Sequence, residues 1–258
     1  VTCDSMVEGR HYLKDYMTPI EIGRRAMVMN ISDIGAMGGV PLYALVTLGL
    51  TSSEAVEDIE DIYRGFIQEL EPFDASIIGG NITQTSGNTF IDITLMGKAK
   101  RGHIALRSGA KPGDAIMVTG YPGSAGAGYR LLADGVVQSL EYKTLIDAYL
   151  RPVHRAREGH ALAVLGLITS MMDVSDGLSG DLYHICEMSS VGAELWEEKL
   201  PVSTSLRDIS NLYKKTPADF ILAPSDDYEL LFTCATQNIE RVERILAEFG
   251  CPVTHIGD

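Results

Sequence analysis

The sequence predicts a mixed α/β (α+β) chain built as two units, and three observations carry that reading. Strand-like and helix-like segments alternate along most of the 258 residues. A turn-rich stretch, Arg107-Ser108-Gly109-Ala110-Lys111-Pro112-Gly113-Asp114, interrupts the alternation near the middle. The same pattern then resumes. These features divide the chain into residues 1–106 and 107–258, each of a length that suits one domain.

In the first unit, the opening residues read as a strand that ends near Asp4. Thr51-Ser52-Ser53-Glu54 matches a capping box with Thr51 as N-cap. Val56, Ile59, Ile62, Phe66, Ile67 and Leu70 follow at helical spacing, and Pro72 stops the helix. Ala75 to Ile78 reads as a short apolar strand ending at Gly79-Gly80. Phe90 to Met96 alternates, with Ile91, Ile93 and Leu95 on one face and Asp92 and Thr94 on the other. In the second unit, strands are expected at Ala115 to Thr119, Met171 to Val174 and Glu229 to Cys234. Helices are expected at Ala125 to Asp134, Leu178 to Met188 and Asn238 to Phe249. Gly120, Gly123, Gly126 and Gly128 do not form G-x-G-x-x-G, and they read as a closely packed strand-to-helix turn.

Hydrophobic residues make up 45% and charged residues 22%, an ordinary globular balance. The net charge of -14 argues against general affinity for nucleic acid or an anionic membrane. An acidic protein that binds phosphate groups needs metal ions or helix N-termini to offset repulsion. Cys3, Cys186, Cys234 and Cys251 are scattered without a C-x-x-C pair, which suits reduced thiols better than a zinc site or a disulfide framework. No apolar run reaches the roughly 18 residues of a membrane span. No signal-peptide pattern is visible, and the chain begins at Val1 without a Met. The expectation is a cytoplasmic protein.

The aspartates carry the most chemical information. Asp4 follows Val1-Thr2-Cys3, and Asp33 lies in Asn30-Ile31-Ser32-Asp33-Ile34-Gly35-Ala36-Met37-Gly38. Asp173 and Asp176 lie in Met172-Asp173-Val174-Ser175-Asp176-Gly177, and Asp226 and Asp227 precede an apolar strand. Each alone reads equally well as a turn former or helix cap. As a set, carboxylates at strand ends can converge on one crevice and hold Mg²⁺. Neither a Walker A pattern nor a protein-kinase H-R-D or D-F-G set occurs. His11 and Arg107, taken singly, read as ordinary surface or core residues.

Six segments together resemble the thiamine-monophosphate kinase family, within the superfamily of aminoimidazole ribonucleotide synthetase and selenophosphate synthetase. They are V-T-C-D-S-M-V-E-G-R-H-Y (1–12), N-I-S-D-I-G-A-M-G (30–38), I-I-G-G-N (77–81), R-S-G-A-K-P-G-D (107–114), M-D-V-S-D-G-L (172–178) and D-D-Y-E-L-L-F (226–232). The resemblance implies a two-domain aminoimidazole ribonucleotide synthetase-like fold, whose N-terminal domain pairs in a homodimer. It implies ATP-dependent transfer of a phosphoryl group to thiamine monophosphate, with several Mg²⁺ ions and no phosphoenzyme.

Carried over by motif, Asp4, Asp33, Asp173 and Asp176 are implied Mg²⁺ ligands, with Thr2 and Cys3 beside them and Asn81 as a further ligand. Gly80, Asn81, Arg107 and Ser175 are implied ATP contacts, and His11 and Asp226 implied contacts to thiamine monophosphate. The chain departs from the family pattern in three places. Cys3 replaces a hydroxyl residue, Asn81 replaces the Asp of Gly-Gly-Asp, and Pro224-Ser225-Asp226-Asp227 replaces Gly-Gly-Glu-Asp. The competing readings are another ATP-dependent enzyme of the superfamily with a different acceptor, and a non-catalytic nucleotide-binding relative.

Overall fold

Two four-stranded sheets, one from each half of the chain, organise the computed structural model, which describes residues 1–136 and 142–258. The first half contains β1 (Thr2–Val7), α1 (Pro19–Ala36), β2 (Val40–Leu50), α2 (Val56–Leu70), β3 (Ser76–Gln84) and β4 (Phe90–Lys98). Its strands lie in the order β1-β4-β2-β3, with β2 and β3 parallel and the other pairs antiparallel. One face is dry. Ala44, Val46 and Leu48 of β2 and Ile91, Ile93 and Leu95 of β4 are buried there, as the alternation of β4 predicts. The other face leaves Tyr43, Leu45 and Ile78 exposed.

The second half contains β5 (Asp114–Thr119), α3 (Ser124–Ala133), α4 (Lys143–Leu150), α5 (Ala156–Val164), β6 (Ser170–Val174) and α6 (Leu178–Ser189). It continues with α7 (Thr204–Tyr213), α8 (Pro217–Ile221), β7 (Glu229–Ala235), α9 (Ile239–Glu248) and β8 (Val253–Gly257). The strand order is β6-β7-β5-β8, antiparallel throughout. Every residue of β5 and β6 is buried.

Helix α1 joins the halves. Thr18 and Glu21 form a reciprocal capping box at its start, with Pro19 in the first turn. No residue from Pro19 to Ala36 is exposed. Close approach to its neighbours depends on glycine at both ends. A Cβ on Gly23 would stand 2.0 Å from the Ile62 carbonyl oxygen of α2. A Cβ on Gly35 would stand 2.3 Å from Ala156 Cα of α5, and one on Gly159 2.3 Å from the Gly35 carbonyl oxygen.

Three sequence expectations change. Helix α2 starts at Val56 after Ala55, without a side-chain cap, so Thr51 is not its N-cap. Glu54 instead accepts hydrogen bonds from Lys14 Nζ and Thr89 Oγ1, both at 2.8 Å, which draws the tetrad into a turn. Strand β3 does not end at Gly79-Gly80 but runs on to Gln84. The two glycines fit there because β2 and β3 shift register beside them, and a Cβ on Gly80 would meet the Val46 carbonyl oxygen at 1.8 Å. Asp4 lies within β1 rather than at its end. The glycines after β5 do pack closely: a Cβ on Gly128 would stand 2.0 Å from the Leu145 carbonyl oxygen.

Gly159→Ala is expected to destabilise the fold by about 1–3 kcal/mol, because the added methyl meets backbone that cannot rotate away. Urea denaturation followed by circular dichroism measures this, and an unchanged midpoint would show that α1 and α5 can slide apart freely.

Candidate active site

The C-terminal half of α1 delivers two adjacent side chains to the two sheets. Asp33 accepts a hydrogen bond from the Thr2 hydroxyl of β1, and Ser32 Oγ donates to Asp173 Oδ2 of β6 at 2.5 Å. Asp4 pairs with Ile93 on the covered face of the first sheet and shares a hydrogen bond with Asp33. Carboxylates from β1, α1 and β6 therefore meet where the halves join. Burial, then the charge of Asp33, pushes the Asp4 carboxyl up to about 6, with Asp92 adding to it. Asp173 is 4% exposed. Burial and then Asp33 push it up to about 7, against the opposing hydrogen bond from Ser32.

Beyond β6 the chain turns at Gly177, whose φ is 95° and where a Cβ would stand 2.2 Å from the Ala223 carbonyl oxygen. Asp181, in the first turn of α6, holds this turn from below. It is fully buried, and its Oδ2 accepts the backbone N–H groups of Ser175 at 3.0 Å and Asp176 at 3.2 Å. Burial pushes Asp181 up to about 6. Asp176 is left exposed and Ser175 half-buried.

Two cavities flank this acidic junction. The first, about 340 Å³, has Thr2, Asp33 and Asp173 at one end and the apolar side chains of Met37, Met171 and Met188 along its wall. Arg107 lies on the same wall. Its carbonyl accepts from Ser189 Oγ at 3.2 Å, and that oxygen also accepts the N–H of Gly109 at 3.1 Å, so the turn is fixed to the end of α6. The second cavity, about 300 Å³, is lined by Arg10, His11, Tyr129, Ser175, Asp176 and Asp226, among others. His11 Nδ1 accepts the Val7 N–H at 3.0 Å, which places the ring proton on Nε2. Asp226 Oδ2 pairs with Arg25 at 2.6 Å. Its neighbour Asp227 accepts the N–H groups of Gly123 at 2.6 Å and Ala125 at 2.9 Å, which caps α3 from a distant loop.

The fold therefore brings together Thr2, Asp4, Asp33 and Asp173, places Arg107 beside them, and puts Ser175, Asp176, His11 and Asp226 across β6. Within one chain it does not bring Cys3, Gly80 or Asn81 to this point. Cys3 is on the outer sheet face, against Asp92 and Thr94 at 3.4 Å. Asn81 of β3 lies in the row Asn81, Thr47, Asp92, Ser5, about 14 Å across at the usual strand spacing. Arg25, Ser32 and Asp181 form part of the structure around the site that the sequence reading overlooked, while Asp227, read there among the converging carboxylates, instead caps α3. Asp181 carries a faint sequence signal, an acid in the first turn of a helix. Arg25 carries none, because an arginine in sequence looks solvated.

The donor set suits a hard divalent cation. It consists of carboxylate and hydroxyl oxygens, and two of the carboxylates, Asp4 and Asp173, are held above their ordinary range by burial and by the charge of Asp33. Among the described residues, no three His, Cys, Asp or Glu side chains are already gathered around a single point. The carboxylates meet in pairs, so an ion here would also draw oxygens from its ligand, as Mg²⁺ does with phosphates.

Residues 1–99 match the family model for the AIR synthase related protein N-terminal domain, and residues 111–258 the model for the C-terminal domain. The thiamine-monophosphate kinase of Bacillus subtilis strain 168 is 33% identical over 260 residues, covering 100% of this chain and 78% of its own length. The crystal structure of thiamine-monophosphate kinase from Stenotrophomonas maltophilia K279a superposes with a TM-score of 0.91 at 32% identity, covering 99% of this chain and 80% of that one. A structure of AaThiL complexed with AMPPCP and TMP gives a TM-score of 0.88 at 32% identity, covering 99% and 79%.

Burial and the charge of Asp33 raise the folded Asp173 carboxyl from the ordinary 3.8 to about 7. Between those values the folded chain holds more protons than the unfolded one, so its stability falls as pH rises through that window. Melting in the presence of a chelator should show this fall, and Asp173→Asn should flatten it. An equal slope in the variant would assign the effect to other groups.

Proposed function

Because the chain belongs to the thiamine-monophosphate kinase family, we propose that it phosphorylates thiamine monophosphate with ATP to give thiamine diphosphate. The observation that carries this reading is the placement of the acidic junction between two cavities. Asp173 lines one cavity and Asp176, three residues on, lines the other. A donor bound in the first and an acceptor in the second would meet at that strand end, as direct in-line transfer needs.

The methionine-lined cavity suits an adenine ring, and Arg107, which lines the same cavity, would grip the phosphate oxygens of ATP. On the acceptor side, His11 presents Nε2–H to the pocket and can donate to the acceptor phosphate. Ser175 lies beside the point of transfer, and Asp226 faces the same pocket. The attacking oxygen belongs to a phosphate that is already anionic, so the reaction needs no strong general base, and none is assigned. Asp4, Asp33, Asp173 and Asp176, with the Thr2 hydroxyl, would hold Mg²⁺, which when bound offsets the charge of the two phosphate groups.

Gly80 and Asn81 enter this scheme through a second copy of the chain. The outer face of the first sheet exposes Tyr43 at 48%, Leu45 at 40% and Ile78 at 54%. An apolar face of this kind is ordinarily covered. A homodimer joined there would carry Gly80 and Asn81 toward the partner's site. We place the reaction in the cytoplasm, a reading supported by four free thiols.

ADP release should depend on thiamine monophosphate. ATP binding without turnover would favour a non-catalytic relative instead. Asp33→Asn and Asp176→Asn should each lower kcat by about 10²-fold or more with little change in melting temperature. Near-normal turnover in either would return that residue to a turn-forming role. Asn81→Asp adds a carboxylate and should lower the Mg²⁺ needed for half-maximal rate by roughly tenfold. A magnesium titration that does not move would remove Asn81 from the metal site.

A further inference from the structure

Arg25 is 1% exposed, and all three nitrogens of its guanidinium are hydrogen-bonded. Nε donates to the His11 carbonyl at 3.2 Å, one Nη to the Tyr149 carbonyl, and the other to Asp226 Oδ2 at 2.6 Å. The guanidinium also lies 4.5 Å from the centroid of the Tyr149 ring. These partners come from the loop after β1, the end of α4 and the loop before β7. All three line the second cavity. One buried side chain from the first half of the molecule thus holds three walls of a pocket built mostly from the second.

We propose that Arg25 is the positioning residue of the acceptor pocket and sets acceptor affinity without touching the acceptor. This rests on the reading that the second cavity takes thiamine monophosphate. Two effects follow from the geometry. The fork fixes His11 and Tyr149 at a set distance from Asp226, a spacing that the three donors of an ammonium, all on one nitrogen, would not reproduce. The positive charge also offsets a carboxylate whose side chain is 44% exposed toward the cavity. Without Arg25, Asp226 would stand as a free anion where an anionic phosphate ester must bind.

The test uses the full chain with Arg25→Met, Arg25→Lys, Asp226→Asn and the Met/Asn double variant, read by steady-state kinetics and thermal melting. Arg25→Met should raise KM for thiamine monophosphate tenfold or more and leave KM for ATP within twofold. Arg25→Lys, which keeps the charge but not the fork, should fall between. Asp226→Asn should raise the acceptor KM in the wild-type background and lower it in the Arg25→Met background. A merely structural role would not produce that reversal.

An acceptor KM within twofold of wild type in Arg25→Met, or an equal rise for both substrates, would overturn the proposal. If Arg25→Met does not melt cooperatively, Arg25→Lys alone and combined with Asp226→Asn is judged by the same criteria. If the wild-type chain turns over no thiamine monophosphate, the kinase reading falls, and the positioning role is judged by amide hydrogen exchange. Segments 8–12, 147–151 and 224–228 should then exchange faster together in Arg25→Met while 170–174 stays unchanged. Unchanged exchange in the three segments would overturn the positioning role on its own.

Discussion

Helix α1 has no wet side, and the rest of the molecule is arranged around that constraint. A helix buried all round must find neighbours on every face, and here glycines let two of them come within backbone distance. Packed this way, α1 has little freedom to rotate or slide. Ser32 and Asp33 then face the two sheets at fixed angles, and Arg25, two turns earlier, reaches into the second half. The charged junction is held in place by a close-packed apolar one.

That arrangement explains which parts of the fold were legible in the sequence. Strand β4 announces itself because only one of its faces is packed in the core, so Ile91, Ile93 and Leu95 alternate with the half-buried Asp92 and Thr94. Helix α2 is legible for a similar reason, although Val56 and Ile67 of its apolar set are exposed. Helix α1 gives no stripe, since Arg25, Ala26, Met27 and Val28 are buried in succession and Asn30, Ile31 and Ser32 follow. Glycine misleads at β3 because the usual inference from Gly-Gly is a turn, whereas here it marks crowding within a strand.

The acidic residues divide along the same line. Asp4, Asp33 and Asp173 stand in segments whose joint pattern is specific, and the fold gathers them. What the pattern does not reveal is the support around them. Asp227 looks in sequence like a second copy of Asp226, yet the two adjacent carboxylates do opposite jobs: one caps α3, the other faces Arg25 and the cavity. A net charge of -14 likewise hides one buried arginine on which a pocket wall depends.

A helix without a solvent face also leaves mutation little room. Along α9, only Val242 and Leu246 of ten residues are buried, so most of its positions can change at small cost. Along α1, nearly every substitution must alter a packed volume, a backbone approach or a charge pair. Drift in this chain would therefore accumulate on the outer helices of the second half. Variants that reach α1 would survive only when a neighbour in α2 or α5 had already changed to receive them, which makes the order in which mutations arise part of what the fold permits.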